Sequence, residues 1–113
     1  MVATLGCGHA LASDGNDLVK GCSDVVRSMD GLKARNLYAA GSCLGLVSGV
    51  MDTLTIVDDS LPPKEKICYP SQGIPYGQAV RVVLKYLNDH PSDLHQNASV
   101  LTADALRSAY SCK

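Results

Sequence analysis

The chain contains no phenylalanine and no tryptophan, so its only aromatic hydrocarbon rings are those of five tyrosines. At 113 residues it is long enough for one domain, and its hydrophobic content of 46% comes mainly from small aliphatic side chains. We therefore expect a thin core in which backbones approach closely. The scarcity of rings argues against binding to single-stranded nucleic acid or sugars, where stacked aromatics supply much of the affinity. A net charge of -1 provides no basic surface for DNA or RNA, so nucleic acid is not an expected partner.

The sequence has no Cys-x-x-Cys pair, although it contains five cysteines. This absence argues against a structural zinc site and against a thioredoxin-type redox motif. Widely spaced cysteines in a small domain are typical of a disulfide framework in an exported protein. The alternative is a set of buried free thiols in a cytosolic core. The five residues are Cys7, Cys22, Cys43, Cys68 and Cys112.

The first twelve residues resemble the end of a signal peptide. Ala10-Leu11-Ala12 before Ser13 fits the small-x-small pattern of a cleavage site, but a basic leader and most of an apolar stretch are missing. We expect residues 1–12 to be the remnant of a truncated signal peptide and residues 13–113 to be the single mature domain, with four cysteines. A lipoprotein signal at Leu5-Gly6-Cys7 is the weaker interpretation, because Thr4 stands where a branched apolar residue is expected.

The hydrophobic periodicity predicts four helices and no strong strand pattern. The first helix is expected to begin at Asp14 and to end at Asp30-Gly31, and the second to run from about residue 34 to 57. The third is expected to start at Pro75 and to end at His90-Pro91, and Ser92 is expected to cap the fourth. The predicted fold class is all-α: a small four-helix domain of two antiparallel helical hairpins, stapled by disulfides.

The second helix carries a row of glycines, Gly41, Gly45 and Gly49, at intervals of four residues. Because each glycine disfavours a helix by roughly 1 kcal/mol relative to alanine, we expect another backbone to pack closely along this ridge. No residue from Asn36 to Met51 is charged. A transmembrane helix needs about 20 apolar residues, and this uncharged run is shorter than that. A buried central helix is therefore the favoured interpretation, and no membrane span is expected.

Topology favours one of the three disulfide connectivities that four cysteines allow. At 1.5 Å per residue, Cys22 lies about 10 Å before the turn that joins the first two helices, and Cys43 lies about 14 Å into the second helix. Cys68 precedes the third helix and Cys112 follows the fourth, which places both at the open end of the second hairpin. The predicted pairs are Cys22–Cys43 and Cys68–Cys112.

Polar residues concentrate between the helices rather than in a catalytic constellation. His90, Asp93 and His95 could be taken for metal ligands or an acid–base pair, but polar residues around Pro91 are ordinary in a turn between helices. No nucleophile–base pair and no phosphate-binding loop is apparent. We therefore expect a protein without metal or cofactor that is not an enzyme.

The chain resembles the Rap/Tai family of type VI secretion immunity proteins over about residues 15–112. The resemblance rests on an ordered set of residues, from Cys43-Leu44-Gly45 through Ile67-Cys68-x-Pro70 to His90-Pro91 and Ala109-Tyr110-x-Cys112. Further members of the set are Asp14-Gly15, Cys22, Gly49-Val50, Asp52, Gln78, Val82-Val83, Tyr86-Leu87, Ala98 and Ala105-Leu106. Two positions depart from the pattern, with Leu46 in place of an aromatic residue and Ser111 in place of a proline.

The resemblance implies a periplasmic helical protein, often a homodimer, that neutralises a peptidoglycan amidase effector by occluding its active site with an exposed loop. The segment 58–66 is the first candidate for that loop, because it is charged, stiffened by prolines and anchored by Cys68. The turn 88–95 is the second candidate. The candidate partner-binding residues are Asp58, Asp59, Lys64, Glu65, Lys66, Asp89, His90 and His95. The alternative function is a periplasmic, disulfide-stapled helical chaperone or structural interaction module with no toxin partner.

Overall fold

The computed structural model describes residues 13–113. The predicted signal-peptide remnant, including Cys7, lies outside these residues. The described chain forms four α-helices and no β-strand, only two isolated bridges, which confirms the all-α class. The helices are α1 (Gly15–Met29), α2 (Leu37–Ile56), α3 (Tyr76–Asp89) and α4 (Ala98–Ala109). Three short 3-10 turns lie between them, at Asp58–Ser60, Pro63–Glu65 and Pro91–Asp93.

Side-chain caps define where the helices begin. Asp14 accepts a hydrogen bond from the backbone N–H of Asp17, whose carboxylate in turn accepts one from the N–H of Asp14. A capping box therefore starts α1, with the predicted residue Asp14 as its cap. Asn36 caps α2 through a hydrogen bond from the N–H of Ala39, two residues later than the predicted start. The prediction for α4 was wrong: Ser92 lies in a 3-10 turn, and α4 begins only after its cap, Asn97.

A small core lies where α1 packs against α2 and α3, and α3 against α4. Its fully buried members are aliphatic or small, which agrees with the thin core expected of a chain without large rings. They include Val47, Val83, Leu87, Leu101 and Leu106. Both predicted disulfides are present: Cys22–Cys43 joins α1 to α2 within the core, and Cys68–Cys112 joins the start of the second hairpin to its end.

A buried carboxylate orders the turn between α1 and α2. Asp24 accepts hydrogen bonds from the backbone N–H of Asn36, at 2.7 Å, and from Nε of Arg35, at 3.2 Å. Burial by itself raises the pKa of the Asp24 carboxyl. The hydrogen bonds from Asn36 and Arg35 and the Arg35 charge together outweigh burial, so this pKa lies below its ordinary value. An ionised Asp24 therefore holds the first turn of α2 in position against α1.

Two helices approach closely at Gly21 of α1, and not along the glycine row of α2. A Cβ atom at Gly21 would collide with the carbonyl oxygen of Ala39 and would lie 3.2 Å from Cβ of Cys43. Glycine is therefore required here because the α2 backbone passes directly over it. No local pattern in the sequence marks this residue.

The interpretation of α2 as a buried central helix was wrong. Only Cys43, Val47 and Met51 of its twenty residues are buried, and 17% of its most apolar window lies inside the fold. A Cβ atom at Gly41, Gly45 or Gly49 would meet nothing within 4 Å. Within residues 13–113, no other segment packs along the glycine row. By length and composition, α2 is the one helix of the described chain that is apolar enough to cross a membrane.

Candidate partner-binding surfaces

The segment 58–66 follows α2 and is an ordered loop built from two 3-10 turns. In the first turn the N–H of Leu61 donates to the carbonyl of Asp58, and in the second the N–H of Lys66 donates to the carbonyl of Pro63. Pro62 and Pro63 restrict the backbone between the turns. The loop therefore has local hydrogen bonds of its own and less conformational freedom than a glycine-rich connection of the same length.

Contacts join the two ends of this loop and hold its C-terminal end to α4. Nζ of Lys66 lies 3.6 Å from Oδ2 of Asp58, so an ion pair joins the two ends of the loop. Nε of Arg107 in α4 donates to the carbonyl oxygen of Glu65 at 3.1 Å. Just beyond the loop, the backbone N–H of Cys68 donates to the carbonyl of Tyr110, beside the Cys68–Cys112 disulfide.

The loop residues divide into anchored and outward-facing groups. Asp58, Glu65 and Lys66 are partly buried and take part in the contacts that hold the loop. Asp59 and Lys64 are exposed. The outward face of the loop thus presents one acidic and one basic side chain on a braced backbone, which suits recognition of a partner surface by charge.

Behind the loop, Tyr69 is partly buried beside Tyr110. Its ring stands 5.4 Å from that of Tyr110, and its hydroxyl oxygen is buried without a hydrogen-bond partner in the described part of the chain. Burial is the main cause that raises the pKa of the Tyr69 hydroxyl, and the negative charge of Asp52 adds to it. Tyr69 and Asp58 both border a cleft of about 290 Å³ at the base of the loop.

The turn 88–95 is stabilised by contacts within its own chain. Nζ of Lys85 lies 2.7 Å from Oδ2 of Asp89, and this hydrogen bond and charge lower the pKa of the Asp89 carboxyl. The His90 ring stacks on Tyr86 at 4.0 Å, and its Nδ1 lies 2.7 Å from the Tyr86 carbonyl oxygen. His95 is exposed. His90 is therefore engaged in shaping the turn, whereas Asp89 and His95 face solvent.

The structure does not bring the two candidate segments together. Loop 58–66 contacts Arg107 in the last turn of α4, whereas the turn 88–95 leads into the first turn of that helix. The twelve residues of α4 separate these ends by about 18 Å. A single small binding site cannot include both segments, so they are alternatives or belong to a broad interface. Within residues 13–113, no three His, Cys, Asp or Glu side chains are grouped as they would be around a metal ion.

A third surface was not predicted as a site. A shallow groove of about 610 Å³ runs between α2 and α4, with Gly45 and Gly49 on one side and Val100 and Ala103 on the other. Val100 is 50% exposed. In the sequence, the uncharged run from Asn36 to Met51 indicates this groove. The run was interpreted instead as part of a buried helix. The groove reaches Arg107 and so continues to the base of loop 58–66.

Comparison with known proteins identifies the family. The model of the family described as Rap1a immunity proteins matches residues 14–112. No curated protein and no solved structure matches the chain. Because the family match covers nearly the whole chain, the resemblance inferred from the sequence is confirmed, and the chain belongs to the Rap1a immunity protein family.

Proposed function

We propose that this member of the Rap1a immunity family is a periplasmic protein that binds and occludes the active site of a type VI secretion peptidoglycan amidase. The observation that carries the proposal is the family match over residues 14–112, because immunity proteins act by binding a cognate effector. The proposed activity is binding, without catalysis by this chain.

Loop 58–66 is the proposed inhibitory element. A segment that enters an enzyme cleft binds more tightly when it loses little conformational entropy on docking. The 3-10 turns, the Asp58–Lys66 ion pair and the Arg107 hydrogen bond restrict this loop before any partner is bound. Asp59 and Lys64 remain free to contact the amidase, and the Cys68–Cys112 disulfide keeps the base of the loop on the helices.

The two disulfides support a periplasmic location, because such bonds persist in oxidising compartments. Export by a cleaved signal peptide, of which residues 1–12 are the proposed remnant, belongs to the same proposal. We also propose that the chain acts as a homodimer, as the family resemblance implies. The large apolar surface that α2 leaves exposed supports association with another protein surface.

The test is a calorimetric titration of the protein with a peptidoglycan amidase encoded beside its gene. A loop variant replaces Asp59 and Lys64 by Ser, since neither residue anchors the loop. A matched control replaces the exposed Asp89 and His95 by Ser at the other end of α4. We expect the loop variant to bind at least roughly tenfold more weakly and the control to bind like wild type, a difference of about 1.4 kcal/mol.

A broader variant, in which Asp58, Asp59, Lys64, Glu65 and Lys66 are all replaced by Ser or Gly, should abolish inhibition. Thermal unfolding of each variant shows whether the helices remain folded. Full inhibition by the broad variant would exclude this loop from the interface. Weak binding by the Asp89 and His95 variant alone would instead place the interface at the turn 88–95. Absence of binding by wild type would contradict an immunity role against that amidase.

A further inference from the structure

We propose that Cys68–Cys112 is a redox-active disulfide at which a dithiol oxidoreductase acts on this protein, and that its reduction releases the base of loop 58–66 while the helical core stays closed. The Cys22–Cys43 disulfide is a structural bond that the same reductant does not reach. Selective reduction is independent of any effector. Weaker binding of the partner by the reduced protein is a further consequence, and it rests on the proposed function of the loop.

The two disulfides differ in exposure. Cys22 and Cys43 are 0% and 2% exposed, so their bond lies within the core between α1 and α2. Cys68 is exposed and Cys112 is half-buried, so the second bond lies at the surface. Thiol–disulfide exchange requires a thiolate to reach one of the two sulfurs, and exposed disulfides are the labile ones. A reductant therefore reaches Cys68–Cys112 in the folded protein, but it reaches Cys22–Cys43 only after α1 and α2 separate.

Backbone contacts outside the helices accompany the surface disulfide. The N–H of Cys68 donates to the carbonyl oxygen of Tyr110 at 2.8 Å, and Ile67 forms an isolated bridge with Ser111. These contacts lie beyond the last residue of α4, so no helical hydrogen bonds reinforce them. Segments of this kind open locally at a much lower free energy than the core. The disulfide is therefore the restraint that keeps the two segments together.

The tyrosines beside the disulfide favour its opening. The rings of Tyr69 and Tyr110 pack with their centroids 5.4 Å apart. The hydroxyl oxygen of Tyr69 is buried and has no hydrogen-bond partner among residues 13–113. A buried hydroxyl without a partner disfavours the closed arrangement, because it has given up its hydrogen bonds to water. Separation of the two rings after reduction would return this hydroxyl to water.

Opening at this point acts directly on loop 58–66. The loop ends two residues before Cys68, and a hydrogen bond from Arg107 to the Glu65 carbonyl also ties it to α4. The ion pair within the loop joins its two ends to each other rather than to α4. Reduction therefore removes the covalent tie of the loop's base and increases its conformational freedom. A loop with more freedom loses more entropy on docking and binds its partner more weakly.

The core does not depend on the surface disulfide for its closure. Its fully buried side chains, such as Val47, Val83 and Leu101, lie where the four helices pack together. Cys22–Cys43 joins α1 to α2 in the same interior. We therefore expect the reduced protein to keep its helices and to be less stable, with the change in flexibility concentrated in the loop and in the residues after α4.

The exchange is a two-electron reduction by a dithiol. A thiolate of the reductant attacks the sulfur of Cys68, a mixed disulfide forms, and Cys112 leaves as a thiolate that takes up a proton. The second thiol of the reductant loses its proton, attacks the mixed disulfide and releases Cys68 as a second thiol. The reductant thereby becomes a disulfide. The partner class is a protein with a Cys-x-x-Cys dithiol, whose oxidised form closes the bond again by the reverse steps.

Timed reduction of the folded protein with dithiothreitol, followed by alkylation and peptide mass mapping, tests the selectivity. Cys68 and Cys112 should be alkylated at least roughly a hundredfold faster than Cys22 and Cys43, because the buried pair is reached only through opening of the core. The buried pair is thus a control within the same molecule. Reduced thioredoxin, a protein-sized Cys-x-x-Cys dithiol, should show the same selectivity.

Hydrogen exchange tests the release of the loop. In a variant with Cys68→Ser and Cys112→Ser, peptides covering residues 58–69 and 107–113 should exchange at least roughly tenfold faster than in wild type, while those of α1 and α2 change less. Wild type that has been reduced selectively and alkylated is a second sample of the same state, so the test does not depend on folding of the variant. With an amidase that wild type binds, both samples should bind at least roughly tenfold more weakly.

Reduction of the two disulfides at similar rates would overturn the proposal, as would resistance of Cys68–Cys112 to reduced thioredoxin. Wild-type exchange rates in the loop peptides of both open samples would show that reduction does not release the loop. None of these measurements uses an effector, so failure of amidase binding in the loop experiment would leave this inference standing. Undiminished affinity of the open samples for an amidase that wild type binds would refute the effect on partner binding alone.

Discussion

Alanine at Gly21 and at Gly41 should have opposite effects on stability, although both positions are glycines within helices. Both substitutions gain about 1 kcal/mol of helix propensity. At Gly41 the new methyl group points into open space, so the unfolding free energy should rise by up to about 1 kcal/mol. At Gly21 the methyl group would collide with the Ala39 carbonyl, and the neighbouring Cys22–Cys43 disulfide prevents α1 and α2 from separating easily.

Overpacking of this kind typically costs about 1–3 kcal/mol, and contact with a backbone atom rather than a flexible side chain places Gly21→Ala at the upper end. After the gain in propensity, the variant should lose about 2 kcal/mol of unfolding free energy. The gain in helix propensity cancels between the two variants, so their difference of about 3 kcal/mol isolates the collision. This is a large fraction of the roughly 5–15 kcal/mol that holds a typical domain together.

The assay is urea unfolding of both variants and wild type, followed by far-ultraviolet circular dichroism at a concentration where the chain is monomeric. The slope of the transition should stay constant while its midpoint moves down for Gly21→Ala and up for Gly41→Ala. Equal stabilisation of both variants would show that α1 and α2 do not meet at Gly21. Strong destabilisation by Gly41→Ala would show that the glycine row is covered within the monomer.

Two further predictions concern the elements that brace the helices. Asp24→Asn removes the charge that holds the Asn36 N–H and should lower the thermal midpoint, whereas Asp17→Asn at the exposed cap of α1 should lower it less. The pKa of Asp24 is lower in the folded than in the unfolded state. The stabilising effect of the Asp24 carboxylate is therefore complete above the pKa of the unfolded state, which is about 4. The effect should be lost as the pH falls below that value, and unfolding curves of the Asp24→Asn variant measured over that range should lack this part of the pH dependence. Replacing Cys68 and Cys112 together by Ser opens a loop of 44 residues and should reduce the unfolding free energy by about 4 kcal/mol in urea titrations, and an unchanged midpoint would contradict this.

Local signals in the sequence predicted most of the fold. The Asp14 cap, the stop at Asp30-Gly31 and the start of α3 after Pro75 were placed within a residue or two of their observed positions. The disulfide pairs followed from helix lengths and short turns. Ser92 was misassigned because a serine after a proline satisfies the general pattern of a cap, while Asn97 forms the actual one.

Tertiary contacts could not be predicted in the same way. The periodicity of α2 indicated an apolar helix, but periodicity cannot distinguish a helix covered on all sides from one covered on a single side. Likewise, the spacing of Gly41, Gly45 and Gly49 predicted a close contact without specifying whether its partner was in the same chain. Gly21 and Asp24 are isolated residues whose roles depend on where α2 crosses α1, and no local pattern marks them.

The candidate binding residues were predicted as two groups of exposed turn residues. The sequence could not show that Asp58 and Lys66 form an ion pair, that Glu65 is held by Arg107, or that His90 stacks on Tyr86. These contacts depend on the packing of α4 and the folding of the loop. They engage the side chains of Asp58 and Lys66 and the backbone of Glu65, and they leave Asp59 and Lys64 as the two exposed charged residues of the segment 58–66.

Hydrolysis of purified peptidoglycan by any amidase encoded beside this gene, measured while this protein is titrated into the reaction, tests the immunity proposal most directly. We predict that activity falls to zero as the ratio of chains to enzyme approaches one, and that the Asp59 and Lys64 variant requires a large excess to give the same loss. Undiminished hydrolysis in the presence of excess folded, disulfide-bonded wild type would contradict the proposal that this protein neutralises that enzyme.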